Sequence, residues 1–302
     1  MPPGFSAALW TCVLAAASGA QNGPAFRSRV EVVVVPLTVV DANGVATAGL
    51  TRDDFQVYDN DVRRPIESFW VDNDVPLTLG VIVDASESQK ELIPEHRRTA
   101  VDLLERILRP GDRAFVVSVE EKVRLWVDLT GTAAEVRRGM AGTPVELLGQ
   151  ACGQSVCGST PLWDAVSDAA SLKLRSLTGT KALLLLTDGF DSGSARTWQQ
   201  AADAANKADA GIYAIQYPSA FGRNYAPDLY RLVADAGGPW FQAREGIDEA
   251  VVARMEADLR HRYVLGFRPE RLSGKVRHNI RVEATRPDLN VRARKTYFQE
   301  PN

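Results

Sequence analysis

The sequence predicts an open, doubly wound α/β domain inserted between two β-rich flanks. Apolar runs alternate with segments of helical period over 77–260, whereas 27–76 and 261–299 contain short β-branched runs separated by turn residues. The chain has 302 residues, of which 45% are hydrophobic and 24% are charged. This length and composition allow two domains and exclude both intrinsic disorder and a polytopic membrane protein.

The two flanks are expected to form one β-structure. In the first flank, the runs at 30–40 and 55–58 are typical of antiparallel strands, and the last flank shows the same alternation at 263–267, 280–284 and 291–293. Neither flank alone has enough strands for a stable core. We therefore expect 27–76 and 261–299 to pack together as a β-sandwich.

The central region, 77–260, predicts a parallel sheet with crossover helices. Four apolar runs, at 77–83, 114–119, 182–186 and 211–215, are continuous, as in strands that are buried on both faces. A further run at 123–127 follows its predecessor after a very short connection, which predicts an antiparallel edge strand. Apolar residues at helical spacing within 100–108 and 162–170 predict two of the helices.

The first 20 residues have the pattern of a cleaved signal peptide. Residues 5–17 are almost wholly apolar, and small residues at 18–20 precede Gln21. No other run approaches the roughly 20 apolar residues that a membrane span needs. We expect a mature protein without an integral span, exported to the periplasm, the medium or the cell surface.

Two cysteines remain after removal of the signal peptide, which takes Cys12 with it. Cys152 and Cys157 lie in a Gly/Ser-rich stretch, and in an exported protein this arrangement favours a disulfide over a metal site. The disulfide would stiffen the loop that precedes Thr160.

Oxygen-bearing side chains occur where the predicted strands end. Asp84, Ser86 and Ser88 follow the first central strand, Asp188 follows the 182–186 strand, and Thr160 begins a helix after a loop. In an open α/β sheet, ligands bind in the crevice outside the carboxyl ends of the strands. Two carboxylates and three hydroxyls form a hard donor set, which suits Mg²⁺, Mn²⁺ or Ca²⁺ better than zinc, with Mg²⁺ favoured.

The Asp84-x-Ser86-x-Ser88 loop, Thr160 and the Thr-Asp-Gly sequence around Asp188 together resemble the metal-ion-dependent adhesion site of von Willebrand factor A domains. The flanks add to the match at 50–59, 66–69 and 263–269, which resemble exported, von Willebrand A-related proteins found especially among Acidobacteria. The resemblance covers nearly the whole mature chain. It implies a Rossmann-like fold in which the three hydroxyls bind a divalent cation directly and the two aspartates bind it directly or through water.

The expected function is that of an exported binding protein, whose cation coordinates an Asp or Glu residue of a protein partner. A structural or assembly role in an envelope complex, with a purely stabilising metal, is the alternative. A metal-dependent hydrolase is less favoured, because the serines lack a Gly-x-Ser-x-Gly elbow and a histidine partner. The histidines, His96, His261 and His278, lack metal-ligand spacing and are assigned structural or surface roles.

Charge gives little indication of further ligands. The formal net charge is −3, which offers no global reason to expect nucleic acid as a partner. From residue 260 onward there are 11 Lys and Arg against four Asp and Glu. Arg281, Arg292 and Arg294 alternate with apolar residues, which favours a solvated sheet face over an anion-binding one. Asp191 and Ser192 are expected to form a surface turn.

Overall fold

The fold is described for residues 32–141, 159–223, 225–243, 248–270 and 276–299 of a computed structural model. The strands within these ranges are β1 (Val33–Val40), β2 (Phe55–Asp59), β3 (Val62–Arg64), β4 (Ile66–Asp72), β5 (Leu77–Asp84), β6 (Arg113–Val119), β7 (Val123–Thr130), β8 (Thr180–Thr187), β9 (Ala210–Gln216), β10 (Trp240–Gln242), β11 (Arg262–Phe267), β12 (Val276–Ala284), β13 (Asn290–Ala293) and β14 (Thr296–Gln299). The α-helices are α1 (Ile93–Ile107), α2 (Ala133–Ala141), α3 (Leu162–Asp168), α4 (Trp198–Lys207), α5 (Pro227–Asp235) and α6 (Glu249–Arg260).

A six-stranded sheet in the order β10-β9-β8-β5-β6-β7 forms the centre of the α/β domain. The pairs from β10 to β6 are parallel, and the edge strand β7 pairs with β6 in the antiparallel direction. Every residue of β5 and β8 is buried, because helices cover both faces of the sheet. The four predicted parallel strands and the antiparallel edge strand are confirmed.

The chain changes direction at β5. From β5 it proceeds through α1 to β6 on one side, and later through α3 to β8 on the other side. This is a topological switch point, which opens a crevice at the carboxyl ends of β5 and β8. Asp84 ends β5 and Asp188 follows β8, so the topology places both residues at this crevice.

Helices pack on both faces of the sheet. Ile82 and Phe115 belong to an apolar cluster with residues of α3, α4 and α5, whereas Val81 and Val83 share a second cluster with α1, α2 and α6. A side chain at Gly80 would place its Cβ 2.3 Å from the Phe115 ring, so this position in β5 requires glycine. The sheet is therefore doubly wound, as predicted.

The two flanks pair with each other. One four-stranded sheet has the order β13-β1-β11-β4 and the other has the order β14-β12-β2-β3, so that each contains strands from both ends of the chain. Residues of the two sheets share one apolar cluster, which includes Val35, Val57, Leu265 and Tyr297. The chain enters the α/β domain between β4 and β5 and leaves it between α6 and β11.

Some elements differ from the expectations or lie outside the described ranges. The short strand β10 was not predicted, and α3 continues as a π-helical segment at Ala169–Leu174. The predicted signal peptide at 1–20, Cys152 and Cys157 lie outside the described residues. Among the helices of the described part, none is long and apolar enough to cross a membrane.

Candidate metal centre

The loop after β5 gathers the first three predicted ligands. Oδ1 of Asp84 accepts a hydrogen bond of 3.0 Å from the backbone N–H of Ser86, and the hydroxyls of Ser86 and Ser88 lie 3.2 Å apart. Residues Glu87–Leu92 then form a 3₁₀ turn that leads into α1. The alternate spacing of the three side chains therefore directs their oxygens to one side of the loop.

Two residues connect this loop to the end of β8. The Thr187 hydroxyl donates a hydrogen bond of 2.5 Å to Oδ2 of Asp84. The Gln89 amide donates to Oδ2 of Asp188 at 3.1 Å and to the Pro218 carbonyl at 3.0 Å. Asp188 is thus held beside the Asp84 loop by direct side-chain contacts.

The electrostatics of the site favour a cation. Asp84 and Asp188 have side chains that are almost completely buried, with residue exposures of 0% and 1%. Burial raises the pKa of Asp84 to about 6, and the nearby charge of Asp188 adds to this effect, while hydrogen bonds from Ser86 and Thr187 oppose it. A divalent ion would compensate two such carboxylates, and the remaining donors are oxygens of the type that Mg²⁺ and Ca²⁺ prefer. The residues present therefore fit a hard cation.

Thr160 is linked to the same region through a different loop. Its backbone N–H donates to the Ser192 hydroxyl at 3.0 Å, and the N–H of Ser192 donates to the Thr160 carbonyl at 3.2 Å. Ser192 lies four residues after Asp188. Within the described ranges, no hydrogen bond joins Thr160 directly to the other four predicted ligands, so its role as a ligand stays a prediction.

The turn at Asp191 and Ser192 has a structural role at the site. Oδ1 of Asp191 accepts from the Trp163 N–H at 3.2 Å and from the Ser194 hydroxyl. Asp191 thereby satisfies one free N–H group at the start of α3. From its position at the surface, the segment also fixes Thr160 and α3 against the loop that follows β8.

The contacts that three further residues make at this site were not predicted from the sequence, which assigned His96 only a structural or surface role. Thr187 and Gln89 bridge the loops, and Nδ1 of His96 lies 3.0 Å from the Asp84 carbonyl. Burial lowers the pKa of His96 to about 4, so the ring is neutral at pH 7 and supports the end of β5. Only Thr187 had a sequence signal, because it directly precedes Asp188.

The sheet order, with its switch point at β5 and its polar loops at the carboxyl edge, is the doubly wound arrangement that the sequence resemblance to von Willebrand factor A domains implies. No protein-family model matches the chain, and no curated protein matches it significantly.

Several solved structures are similar to the chain in fold. A conserved hypothetical protein, BatB from Bacteroides thetaiotaomicron, is 15% identical, with 60% of this chain and 96% of that chain covered and a TM-score of 0.45. A von Willebrand factor type A protein from Catenulispora acidiphila is 15% identical, with 77% of this chain and 73% of that chain covered and a TM-score of 0.42. Proximal thread matrix protein 1 from the mussel byssus is 16% identical, with 67% of this chain and 49% of that chain covered and a TM-score of 0.47. That structure is described with a zinc-occupied MIDAS motif.

Proposed function

We propose that the protein binds one divalent cation at the carboxyl edge of its parallel sheet and uses that cation to hold an acidic residue of a protein partner. The observation that carries this proposal is the pair of buried carboxylates, Asp84 and Asp188. The loop after Asp84 carries two adjacent serine hydroxyls and, through Gln89, a donor to Asp188. An uncompensated pair of this kind is costly to bury. Bound metal would remove that cost.

The ligands of the cation would be Asp84, Ser86, Ser88, Thr160 and Asp188. Two carboxylates and neutral hydroxyls leave a Mg²⁺ ion with exchangeable positions, which water or an outside carboxylate can fill. The cation would supply the charge that attracts an Asp or Glu side chain. The chain itself supplies the fixed geometry, through Thr187, Gln89 and the Ser192–Thr160 link.

The surroundings of the site support a protein partner. The N–H of Ala220 donates to the Ser88 carbonyl at 3.2 Å, which places the loop after β9 beside the metal loop. In this loop Phe221 and Tyr225 are 63% and 71% exposed. Large exposed aromatic side chains are typical of protein-binding surfaces.

A binding role is proposed in preference to catalysis. The hydroxyls of Ser86 and Ser88 are hydrogen-bonded to each other, and in the described part of the chain neither is bonded to a histidine. A serine nucleophile needs such a base. We further propose that the protein is exported, and that the two flank sheets act as one sandwich that orients the metal-binding edge.

The proposal is tested by melting the purified protein with and without Mg²⁺, Mn²⁺ and Ca²⁺. A metal that binds only the folded state stabilises it by about 2.7 kcal/mol at a hundred times its dissociation constant. Ser88→Ala should weaken this effect, whereas Ser68→Ala, which removes a hydroxyl from strand β4, should leave it unchanged. If none of the three cations changes the melting temperature of the wild-type protein, the metal site is refuted.

Partner binding needs its own measurement. Envelope proteins of the native organism are passed over immobilised wild type and Ser88→Ala, each with Mg²⁺ and with chelator. Retention that requires both Mg²⁺ and Ser88 supports the binding role. A protein that is stabilised by metal but retains nothing in a metal-dependent way would instead have a purely structural metal site.

A further inference from the structure

A second polar site lies between the α/β domain and the flanks. A cavity there is lined from the α/β domain by Lys181, Asp209 and Tyr213, and from the flanks by Arg262, Arg292 and Arg294. The space open to the centre of a water molecule is about 40 Å³. At about 10–15 Å³ per water this holds roughly three water-sized groups, which suits a small ion and excludes a nucleotide.

The positively charged side chains around this cavity outnumber the carboxylates that form ion pairs with them. Arg292 forms an ion pair with Asp258 at 2.8 Å, and Arg294 forms one with Asp209. Arg262 has no ion pair or side-chain hydrogen bond to any residue in the described ranges. Its neighbours Asp209 and Asp72, the latter opposite it in β4, act on it only through their charge.

The remaining cation is Lys181, which is 7% exposed and, among the residues that the structure describes, donates only to the neutral Leu177 carbonyl at 3.1 Å. Burial lowers its pKa, and the positive charges of Arg294 and Arg262 lower it further, while Asp209 opposes them. Cations that repel one another in a half-enclosed space create a positive potential in it. Among the described residues, neither Lys181 nor Arg262 has a carboxylate within ion-pair distance.

The cavity also offers a neutral donor. Tyr213 is 6% exposed, and its hydroxyl makes no hydrogen bond within the part of the chain that the structure describes. Burial raises the pKa of this phenol, so that at pH 7 it is an O–H donor. A guanidinium fork, an ammonium and a phenol therefore place several N–H and O–H donors around one small space.

We infer that this cavity binds a small doubly charged oxyanion, such as phosphate or sulfate, between Lys181, Tyr213 and Arg262. Arginine suits tetrahedral oxyanions because its fork donates two parallel hydrogen bonds. The ion would cross-link the first residues of β8 to β11, and thus the α/β domain to the flanks. This corrects the prediction of a solvated face at Arg292 and Arg294, whose side chains are only 22% and 13% exposed because they turn toward the α/β domain.

The anion site is separate from the proposed metal centre. Lys181 is near the beginning of β8 and Asp188 follows its end, about 23 Å away at 3.3 Å per residue. A failure of one site therefore does not imply a failure of the other. Ser88→Ala, which tests the metal centre, should leave anion binding intact.

The test compares melting temperatures of wild type, Arg262→Gln and the control Arg231→Gln in phosphate, sulfate, acetate and chloride at equal ionic strength. Arg231 is an exposed residue on α5 that forms an ion pair with Asp228, one helical turn earlier, and with no other residue in the described ranges. Phosphate and sulfate also stabilise proteins generally, but that effect does not saturate and is common to all variants. Only a saturable increase in melting temperature at low anion concentration therefore indicates binding at the site.

We expect wild type and Arg231→Gln to gain about 3 °C at ten times the dissociation constant of phosphate or sulfate. Arg262→Gln should lose this gain, and acetate should bind at least tenfold more weakly. The inference is overturned if wild type shows no saturable increase in melting temperature or if Arg262→Gln keeps that increase. It is also overturned if acetate raises the melting temperature at the same concentration as phosphate. Should Arg262→Gln fail to fold, titration calorimetry of phosphate into wild type and Arg262→Lys decides, because unchanged affinity in Arg262→Lys also overturns it.

Discussion

A single buried carboxylate, that of Asp112, ties together the two points where the chain crosses between the flanks and the α/β domain. Its oxygens accept hydrogen bonds of 2.7 Å from the N–H groups of Leu77 and Arg109 and form an ion pair with Arg260. Leu77 begins β5 and Arg260 ends α6. The Arg260 guanidinium also donates to the Ile107 carbonyl at 2.7 Å. We therefore expect the loss of Arg260 to destabilise the whole domain.

The magnitude follows from the burial of both partners. The side chains of Arg260 and Asp112 are only 6% and 3% exposed. Arg260→Met keeps most of the side-chain volume but leaves the carboxylate without its counter-ion, and breaking a buried pair in this way costs about 3–5 kcal/mol. The matched control is Arg106→Met, which breaks an exposed pair between α1 and α6, with Glu249 at 3.5 Å. An exposed pair contributes less than about 1 kcal/mol.

The pH dependence gives an independent check. Burial opposes ionisation of Asp112, but the hydrogen bonds from Arg260, Leu77 and Arg109 outweigh it, so that its pKa lies below the ordinary value of 3.8. A depressed pKa contributes stability above the unfolded-state pKa, and this stability is lost as the pH falls through the folded-state pKa. The difference between wild type and Arg260→Met should therefore be largest near neutral pH and should narrow below about pH 4.

Urea unfolding of the purified protein at several pH values measures both effects. The double variant Asp112→Asn/Arg260→Met should recover part of the lost free energy, because it removes the uncompensated charge. The reasoning is refuted if Arg260→Met costs no more than Arg106→Met at pH 7, or if its cost is the same at all pH values.

Three further predictions concern single positions. Gly189→Ala should lower the free energy of unfolding by about 1–3 kcal/mol, because the φ of Gly189 is +85° and the new Cβ would lie 2.7 Å from that of Ala226. The control Gly49→Ala, at a φ of +79° in open space, should lower it by only about 1 kcal/mol, as measured by urea unfolding. Thr187→Val should lower the free energy of unfolding by about 1–3 kcal/mol in urea without metal, since Asp84 loses a buried hydrogen-bond donor. An unchanged free energy of unfolding would contradict this. Burial raises the pKa of Asp258 from 3.8 to about 6, with Arg292 opposing, so wild type should lose stability as the pH rises from 4 to 6. In melting curves Asp258→Asn should lose less over this range, because it keeps only the contribution of groups such as Asp84, whose pKa burial also raises to about 6; parallel pH profiles would contradict this.

The central sheet was predictable because its sequence signal is local. Strands such as β5 and β8 are buried on both faces and therefore consist of continuous apolar residues, and each ends where a carboxylate begins the next loop. The same locality marked Asp84 and Asp188 as candidate site residues. β10 escaped prediction because a strand of three residues is too short to show a period.

The contacts that complete both sites could not be predicted, because they join residues far apart in sequence. Gln89 meets Asp188 across 99 positions, and nothing in the sequence around Gln89 distinguishes it from a solvated helix residue. Arg294 contacts the Val34 carbonyl across 260 positions and also pairs with Asp209. In the sequence, its alternation with apolar residues is the pattern of an exposed face. Only the packing of the flanks on the α/β domain reveals that this face is covered.

The placement of the two crossings has a consequence for partner binding. Asp112 precedes β6 and contacts the first residue of β5, so both crossings lie at the amino edge of the parallel sheet. The polar loops with Asp84 and Asp188 lie at the carboxyl edge, and β5 alone separates the two edges by about 23 Å, at 3.3 Å for each of its seven steps. A partner that approaches the carboxyl edge therefore does not meet the chain crossings. An insertion with both junctions at the far edge therefore attaches the domain to the flanks through residues that take no part in the candidate metal centre.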